Sequence, residues 1–193
     1  NGTFTVNTPN FNLDGIEAAG NITTVNSGAA LNLNLGAGAD LAYGHTINLN
    51  GGTFSLTTSA ATAWTLISTG TVNAAGGATS TISSPGETFQ IGGHINVTAN
   101  STLTVTSVSN YLSTAAVVID AGSMLNHNGA VTYNGGSYTG GGVLSPGTAT
   151  IAAATAWNVT TVNLDDGNHV LNANLTINAN SIDNSGDGFD TAI

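Results

Sequence analysis

One phrase recurs along this chain: an aliphatic residue, Asn or Asp, one or two small residues, then an aliphatic residue again. It reads Val25-Asn26-Ser27-Gly28-Ala29-Ala30-Leu31 early on and Ile119-Asp120-Ala121-Gly122-Ser123-Met124-Leu125 later, with Ile95-Asn96-Val97-Thr98-Ala99-Asn100-Ser101-Thr102-Leu103 between them. Looser forms are Thr71-Val72-Asn73-Ala74-Ala75-Gly76 and Thr176-Ile177-Asn178-Ala179-Asn180-Ser181-Ile182. Each is a strand end, a small-residue corner and a strand start. The segments between corners alternate apolar and polar residues, as in Gly2-Thr3-Phe4-Thr5-Val6, the mark of a strand with one buried face. Residues 102–108 read as one long strand rich in β-branched residues. No segment carries apolar residues at i, i+3 and i+4, and the helix formers Glu and Lys are scarce or missing.

Marking one corner per phrase gives Gly28, Gly51, Gly76, Asn100, Gly122, Gly147, Gly167 and Gly188, in steps of 20 to 25 residues. A longer self-match, Ala60-Ala61-Thr62-Ala63-Trp64 against Ala153-Ala154-Thr155-Ala156-Trp157, spans 93 residues, about four such steps. A period of this size in β grammar predicts an all-β fold, a right-handed parallel β-helix of about eight coils. At about 4.8 Å per coil it makes a rod of roughly 38 Å. Aliphatic and aromatic residues are expected in the lumen, Thr, Asn and Ser on the outside, with Asn stacked at equivalent corners in hydrogen-bonded ladders. The alternative is an antiparallel β-sandwich, because Asn50-Gly51, Asn128-Gly129 and Asn134-Gly135 are favoured hairpin turns. The 193 residues read as a single solenoid segment, and a start at Asn1 without Met reads as a piece of a longer chain or assembly.

Composition removes several functions. Charged residues are 5% of the chain, all ten of them acidic, and Lys and Arg are absent, against about 25% charged in ordinary domains. Nucleic-acid binding needs cationic side chains on phosphates, so a net charge of −10 excludes it. Binding to anionic membrane surfaces fails for the same reason, and no apolar run approaches the ~18 residues of a span. Disorder is excluded by a hydrophobic content of 40% and a mean hydropathy of +0.17. Without Cys there is neither a disulfide framework nor a thiolate metal site.

The Val-Asn-Ser-Gly-Ala-Ala-Leu and Ile-Asp-Ala-Gly-Ser-Met-Leu phrases resemble coils of secreted bacterial β-helix proteins, the autotransporter passengers and filamentous-haemagglutinin-like adhesins. Tyr138-Thr139-Gly140-Gly141-Gly142-Val143-Leu144-Ser145-Pro146-Gly147 is similar to a Gly-rich phrase of such passengers. The resemblance implies an exported surface or matrix protein and carries no catalytic residues. Residues 185–193 resemble the calcium-binding nonapeptide of RTX proteins, departing from it at Ser185 and Ala192. That implies a calcium site on Asp183, Asp187 and Asp190, since calcium takes six to eight oxygen ligands. A solvated acidic turn is the alternative.

Asp165-Asp166-Gly167-Asn168-His169 invites comparison with pectin-hydrolysing β-helices, but those grip uronates with basic residues that this chain lacks. A β-turn with Asp at its first positions is the plainer reading. His45, His94, His127 and His169 sit in turn-like settings and are expected to face solvent. No Gly-x-Ser-x-Gly elbow is present. The Ala-rich context of Trp64 and Trp157 favours core packing over sugar stacking. Thr-x-Thr occurs at Thr3/Thr5, Thr102/Thr104/Thr106 and Thr148/Thr150, without recurring at one place in the repeat. Six sequons begin at Asn1, Asn21, Asn96, Asn100, Asn158 and Asn174.

The expectation is an extracellular or cell-surface structural or adhesive protein without enzymatic activity. Its partners would be further coils of the same chain or other copies of itself, and carbohydrate. The alternatives are a carbohydrate-active β-helix using Asp165 and Asp166, or a sugar- or ice-binding module.

Overall fold

A computed structural model of the chain describes residues 3–8, 22–35, 41–44, 46–58, 63–164 and 167–184. It is a parallel β-solenoid with three faces per coil and no helix among these residues. A first strand, β1 (Thr3–Thr8), precedes the full coils. Coil one is β2 (Ile22–Asn26), β3 (Ala30–Leu35) and β4 (Leu41–Tyr43); coil two is β5 (Thr46–Asn50), β6 (Thr53–Thr58) and β7 (Ala63–Leu66). Coil three is β8 (Thr71–Ala74), β9 (Thr79–Ser83) and β10 (Thr88–Ile91); coil four is β11 (His94–Val97), β12 (Thr102–Val105) and β13 (Val108–Tyr111). Coil five is β14 (Ala116–Ile119), β15 (Met124–His127) and β16 (Val131–Asn134). Coils six and seven merge two faces into one strand: β17 (Ser137–Ser145) then β18 (Ala149–Ala153), and β19 (Thr155–Asn163) then β20 (His169–Leu171). A partial coil, β21 (Leu175–Ile177) and β22 (Ser181–Asp183), lies on β19.

All paired strands run parallel. Among the described residues the single antiparallel contact is an isolated bridge, Asn26 to Gly51. This excludes the sandwich. Asn50-Gly51 does not close a hairpin: β5 pairs with β2 and β8, while β6 pairs with β3 and β9 on the next face. The seven strands of the third face, from β4 to β20, bound six complete turns. The expected eight coils are therefore reached only by counting partial coils at the ends.

The first corner is a conformational column. Gly28, Gly51, Gly76, Asn100 and Gly122 stand there with φ of 73°, 82°, 86°, 57° and 78°. A turn that needs positive φ accepts Gly without strain and Asn with little. At Gly122 space is also short, since a Cβ would lie 2.2 Å from Asn100 Oδ1. Beyond this point the regular series fails. In coils six and seven the chain bends from face to face without a turn, and the register shifts between Gly140 and Val143. Gly147 and Gly167, which continue the period numerically, lie at the second corner instead. The Trp self-match fails similarly: Trp64 is on the third face and Trp157 on the first. Residues 102–108 also divide, because the chain turns at Thr106-Ser107 between β12 and β13.

The lumen is built from stacked columns. Ile47, Val72, Ile95, Val117, Tyr138 and Trp157 lie in register on the first face and are all buried. Each buried aliphatic or aromatic side chain contributes about 1.5–3 kcal/mol relative to exposure. Polar ladders run alongside. Asn73 Nδ2 donates to Asn48 Oδ1 at 2.9 Å, and Asn96 Nδ2 donates to Asn73 Oδ1 at 2.9 Å. This ladder climbs the outer side of the first face, and the Asn50–Asn26 pair stands beside it at the first corner. The corner ladder is made by serine. Ser80, Ser101 and Ser123 each accept, on the side-chain oxygen, a backbone N–H from the coil below, those of Gly51, Gly77 and Ser101.

Candidate functional site

The structure describes three acids, Glu87, Asp120 and Asp183, and they stand apart. Asp183 ends β22, exposed, with its carbonyl accepting the Leu164 N–H at 2.8 Å. Asp187 and Asp190, the other expected calcium ligands, lie outside the described residues, as do Asp165 and Asp166. Asp120 is exposed at the first corner, where its carbonyl accepts the Ser123 N–H at 2.9 Å. Among the described residues no three His, Asp or Glu side chains come close enough to hold a metal ion.

The histidines depart from expectation. His94 is exposed on β11, and His45 lies outside the described residues. His127 and His169 are buried, because strand alternation puts both at inward positions: His127 stacks on Val105, and His169 on Ala149. His169 Nε2–H donates to the Leu164 carbonyl at 3.3 Å. His127 Nε2 is 2.9 Å from the Tyr111 hydroxyl, and burial pushes its pKa down to about 3. It is a neutral imidazole inside an apolar lumen.

Around His127 the lumen is aromatic. Tyr111 stacks on Tyr133 with ring centroids 5.2 Å apart and planes 10° from parallel. Tyr138 meets both edge-on at 5.5 and 5.3 Å, and Trp157 meets Tyr133 at 5.3 Å. Burial raises the phenol pKa of all four tyrosines, to about 12 for Tyr43 and far up for Tyr111, Tyr133 and Tyr138. Trp157 is 1% exposed. These rings pack a core and give no platform for a sugar.

On the outer walls, register brings together what sequence spacing did not. Thr79 pairs with Thr102, and Thr81 pairs with Thr104 above and Thr53 below. The hydroxyl rows therefore do recur at one place, on the second face of coils two to four. A shift of two residues in β9 hides this from any fixed period. Of the sequons, Asn96 has its amide in the Asn ladder, whereas Asn100 is exposed at a corner.

The second corner holds the feature that motif reading passed over. Ser84-Pro85-Gly86-Glu87 is a tight turn, closed by the Glu87 N–H donating to the Ser84 carbonyl at 3.2 Å, with Gly86 at φ 81°. Pro at the second place and Gly at the third are what such a turn selects. It leads Glu87 to an inward position, 5% exposed, in a groove shared with Ser84, Thr106 and Ser107. The signal in the sequence is an acid at the inward parity of Phe89 and Ile91. Compared with known proteins, the chain matches no family model, no curated protein and no solved structure.

Proposed function

We propose that this chain is a segment of an extracellular structural or adhesive rod. The observation that carries the reading is where the reactive side chains go. The buried set takes in the four tyrosines, Trp157, His127 and His169, while the outer walls of the central coils carry Asn, Thr and Ser. A wall of this kind offers area and length rather than a cleft with converging acids and bases. Absence of Lys and Arg leaves no trypsin site even in an unfolded chain, which suits service outside the cell. At the last coil, Leu171 and Ile182 are 41% and 51% exposed. Further coils, or another copy, would cover them and complete the strand edges.

The test is native digestion with elastase or subtilisin, for which Ala, Val and Leu sites abound, alongside small-angle scattering. The expected result is a full-length, elongated particle that outlasts the urea-unfolded chain and lengthens with concentration. Rapid native digestion overturns the reading. So does turnover of a polysaccharide that is lost in Asp165→Asn or Asp166→Asn.

A second reading has one observation in its favour, the in-register hydroxyls of Thr53, Thr79, Thr81, Thr102 and Thr104. An uncharged face with hydroxyls repeating in register suits a repeating ligand, ice or a crystalline polysaccharide. Inhibition of ice recrystallisation, or sedimentation with insoluble glycan, that disappears in Thr104→Tyr supports it; inactivity in both assays removes it.

A further inference from the structure

Two lumen columns meet in coils four and five. Tyr111 stands below Tyr133 on the third face, and His127 stands above Val105 on the second. Tyr111 and Tyr133 have no exposed surface and His127 has 1%. The rings of Tyr111 and His127 meet edge-on with centroids 5.4 Å apart, and the Tyr111 hydroxyl lies 2.9 Å from His127 Nε2.

The direction of that bond follows from the other ring nitrogen, Nδ1, which meets no hydrogen-bond partner in the protein. If Nε2–H donated to the phenol oxygen, the lumen would hold an unpaired phenolic O–H and an unpaired Nδ1 acceptor together. With the ring proton on Nδ1, the phenol donates to Nε2 and only one N–H stays unpaired. Buried polar groups without partners are costly, so the second arrangement wins. Tyr111 is a phenol whose proton already points at a neutral base.

Loss of one electron makes a phenol O–H strongly acidic, so a tyrosine is oxidised readily only where a base takes the proton. The other tyrosines lack such a base. Tyr138 donates to the Gly135 carbonyl at 3.0 Å, the Tyr133 hydroxyl meets no partner in the protein, and Tyr43 faces the Thr23 hydroxyl. What the neighbouring rings supply is contact: Trp157, Tyr133 and Tyr111 follow one another with centroids 5.3 and 5.2 Å apart. With no Cys in the chain, its indoles and phenols are the readiest one-electron donors.

We propose that Tyr111 and His127 form a redox site that reduces a one-electron oxidant, an oxygen-centred radical, meeting the outside of the rod. The oxidant gains one electron. Tyr111 loses that electron and passes its hydroxyl proton to His127 Nε2, which leaves a neutral phenoxyl radical beside an imidazolium. Only the O–H bond breaks, and only an electron crosses the wall, so the site needs no opening. An electron vacancy formed on Trp157 or Tyr133 moves along the touching rings and settles on Tyr111. The burial that keeps His127 neutral at rest makes the imidazolium costly. The proton therefore returns to Tyr111 when an electron does, and the pair is restored. This site does not depend on the adhesive or structural role of the rod.

The experiment is flash photo-oxidation of the full chain with ruthenium tris(bipyridine) and a cobalt(III) quencher, read by electron paramagnetic resonance, with circular dichroism to verify the fold. Wild type should give a tyrosyl radical, Tyr111→Phe should abolish it, and Tyr43→Phe and Tyr138→Phe should keep it. His127→Gln should shorten the radical's lifetime by about tenfold or more, the effect of losing one charge-assisted hydrogen bond. Absence of a tyrosyl signal in wild type overturns the site, as does a signal of wild-type strength in Tyr111→Phe. Loss of the signal in Tyr43→Phe or Tyr138→Phe places the radical elsewhere and overturns it too, and so does an unchanged lifetime in His127→Gln. If Tyr111→Phe or His127→Gln does not fold, the high-field spectrum of the wild-type radical decides. A g tensor showing a proton bonded to the phenoxyl oxygen supports the pair, and that of an unbonded phenoxyl overturns it.

Discussion

Thr102-Leu103-Thr104-Val105 and Leu175-Thr176-Ile177 follow the same alternation, and both pair in parallel with the coil below. Leu103 and Val105 are fully buried, whereas Leu175 and Ile177 are only partly covered, and in the neighbouring β22 every residue is exposed. The difference is the coil above. β12 lies between β9 and β15, while among the described residues β21 and β22 have β19 on one side and no strand on the other. In a solenoid a residue is buried by its neighbours along the axis, and alternation alone only nominates it.

Truncation should separate the two regions most strongly. Trp157→Ala removes a ring that packs on Tyr133 and should cost about 3–5 kcal/mol. Ile182→Ala should change stability by no more than about 0.5 kcal/mol. Urea midpoints measure both, and equal losses would break the comparison.

Acid should act next, through the central coils. His127 is neutral in the fold, with its pKa lowered to about 3, and titrates near 6.5 when unfolded. Between these values the unfolded state binds the extra proton, so stability is lost as pH falls through that window. At pH 5 the loss should be about 2 kcal/mol relative to pH 7. Unfolding at both pH values, in wild type and His127→Gln, checks this; an equal loss in the variant would assign the effect elsewhere.

The polar ladders give the smallest contrast. Asn73 both donates and accepts in a three-member ladder, while Asn178 donates at 2.7 Å to Asn158 alone, at the exposed end. Asn73→Ala should cost about 1 kcal/mol and Asn178→Ala less than half of that. A reversed order in thermal unfolding would show that ladder strength does not follow coil coverage.

Much of the fold was legible because short-range chemistry dictates it. Corners at Gly28, Gly51, Gly76, Asn100 and Gly122 advertise positive φ, and most strands show their period-two pattern. Coils six and seven were not legible. Gly140-Gly141-Gly142 looks like a turn, yet it threads a close approach to Ile119 and Ala121 within one continuous strand. The Trp self-match misled because identical words can be placed on different faces. Little of the candidate site could be read ahead. Glu87 carries no motif, and its burial follows from the inward parity it shares with Phe89 and Ile91. His127 looked like a turn residue until register put it on Val105.

The most direct test of burial by axial neighbours is amide hydrogen exchange of the native chain, read on peptic peptides because trypsin has no site. Protection should be greatest across residues 71–134, where each strand lies between two others, and should fall toward the unstructured rate across residues 169–183. Strong and uniform protection that continues through β21 and β22 in the dilute monomer would contradict the account.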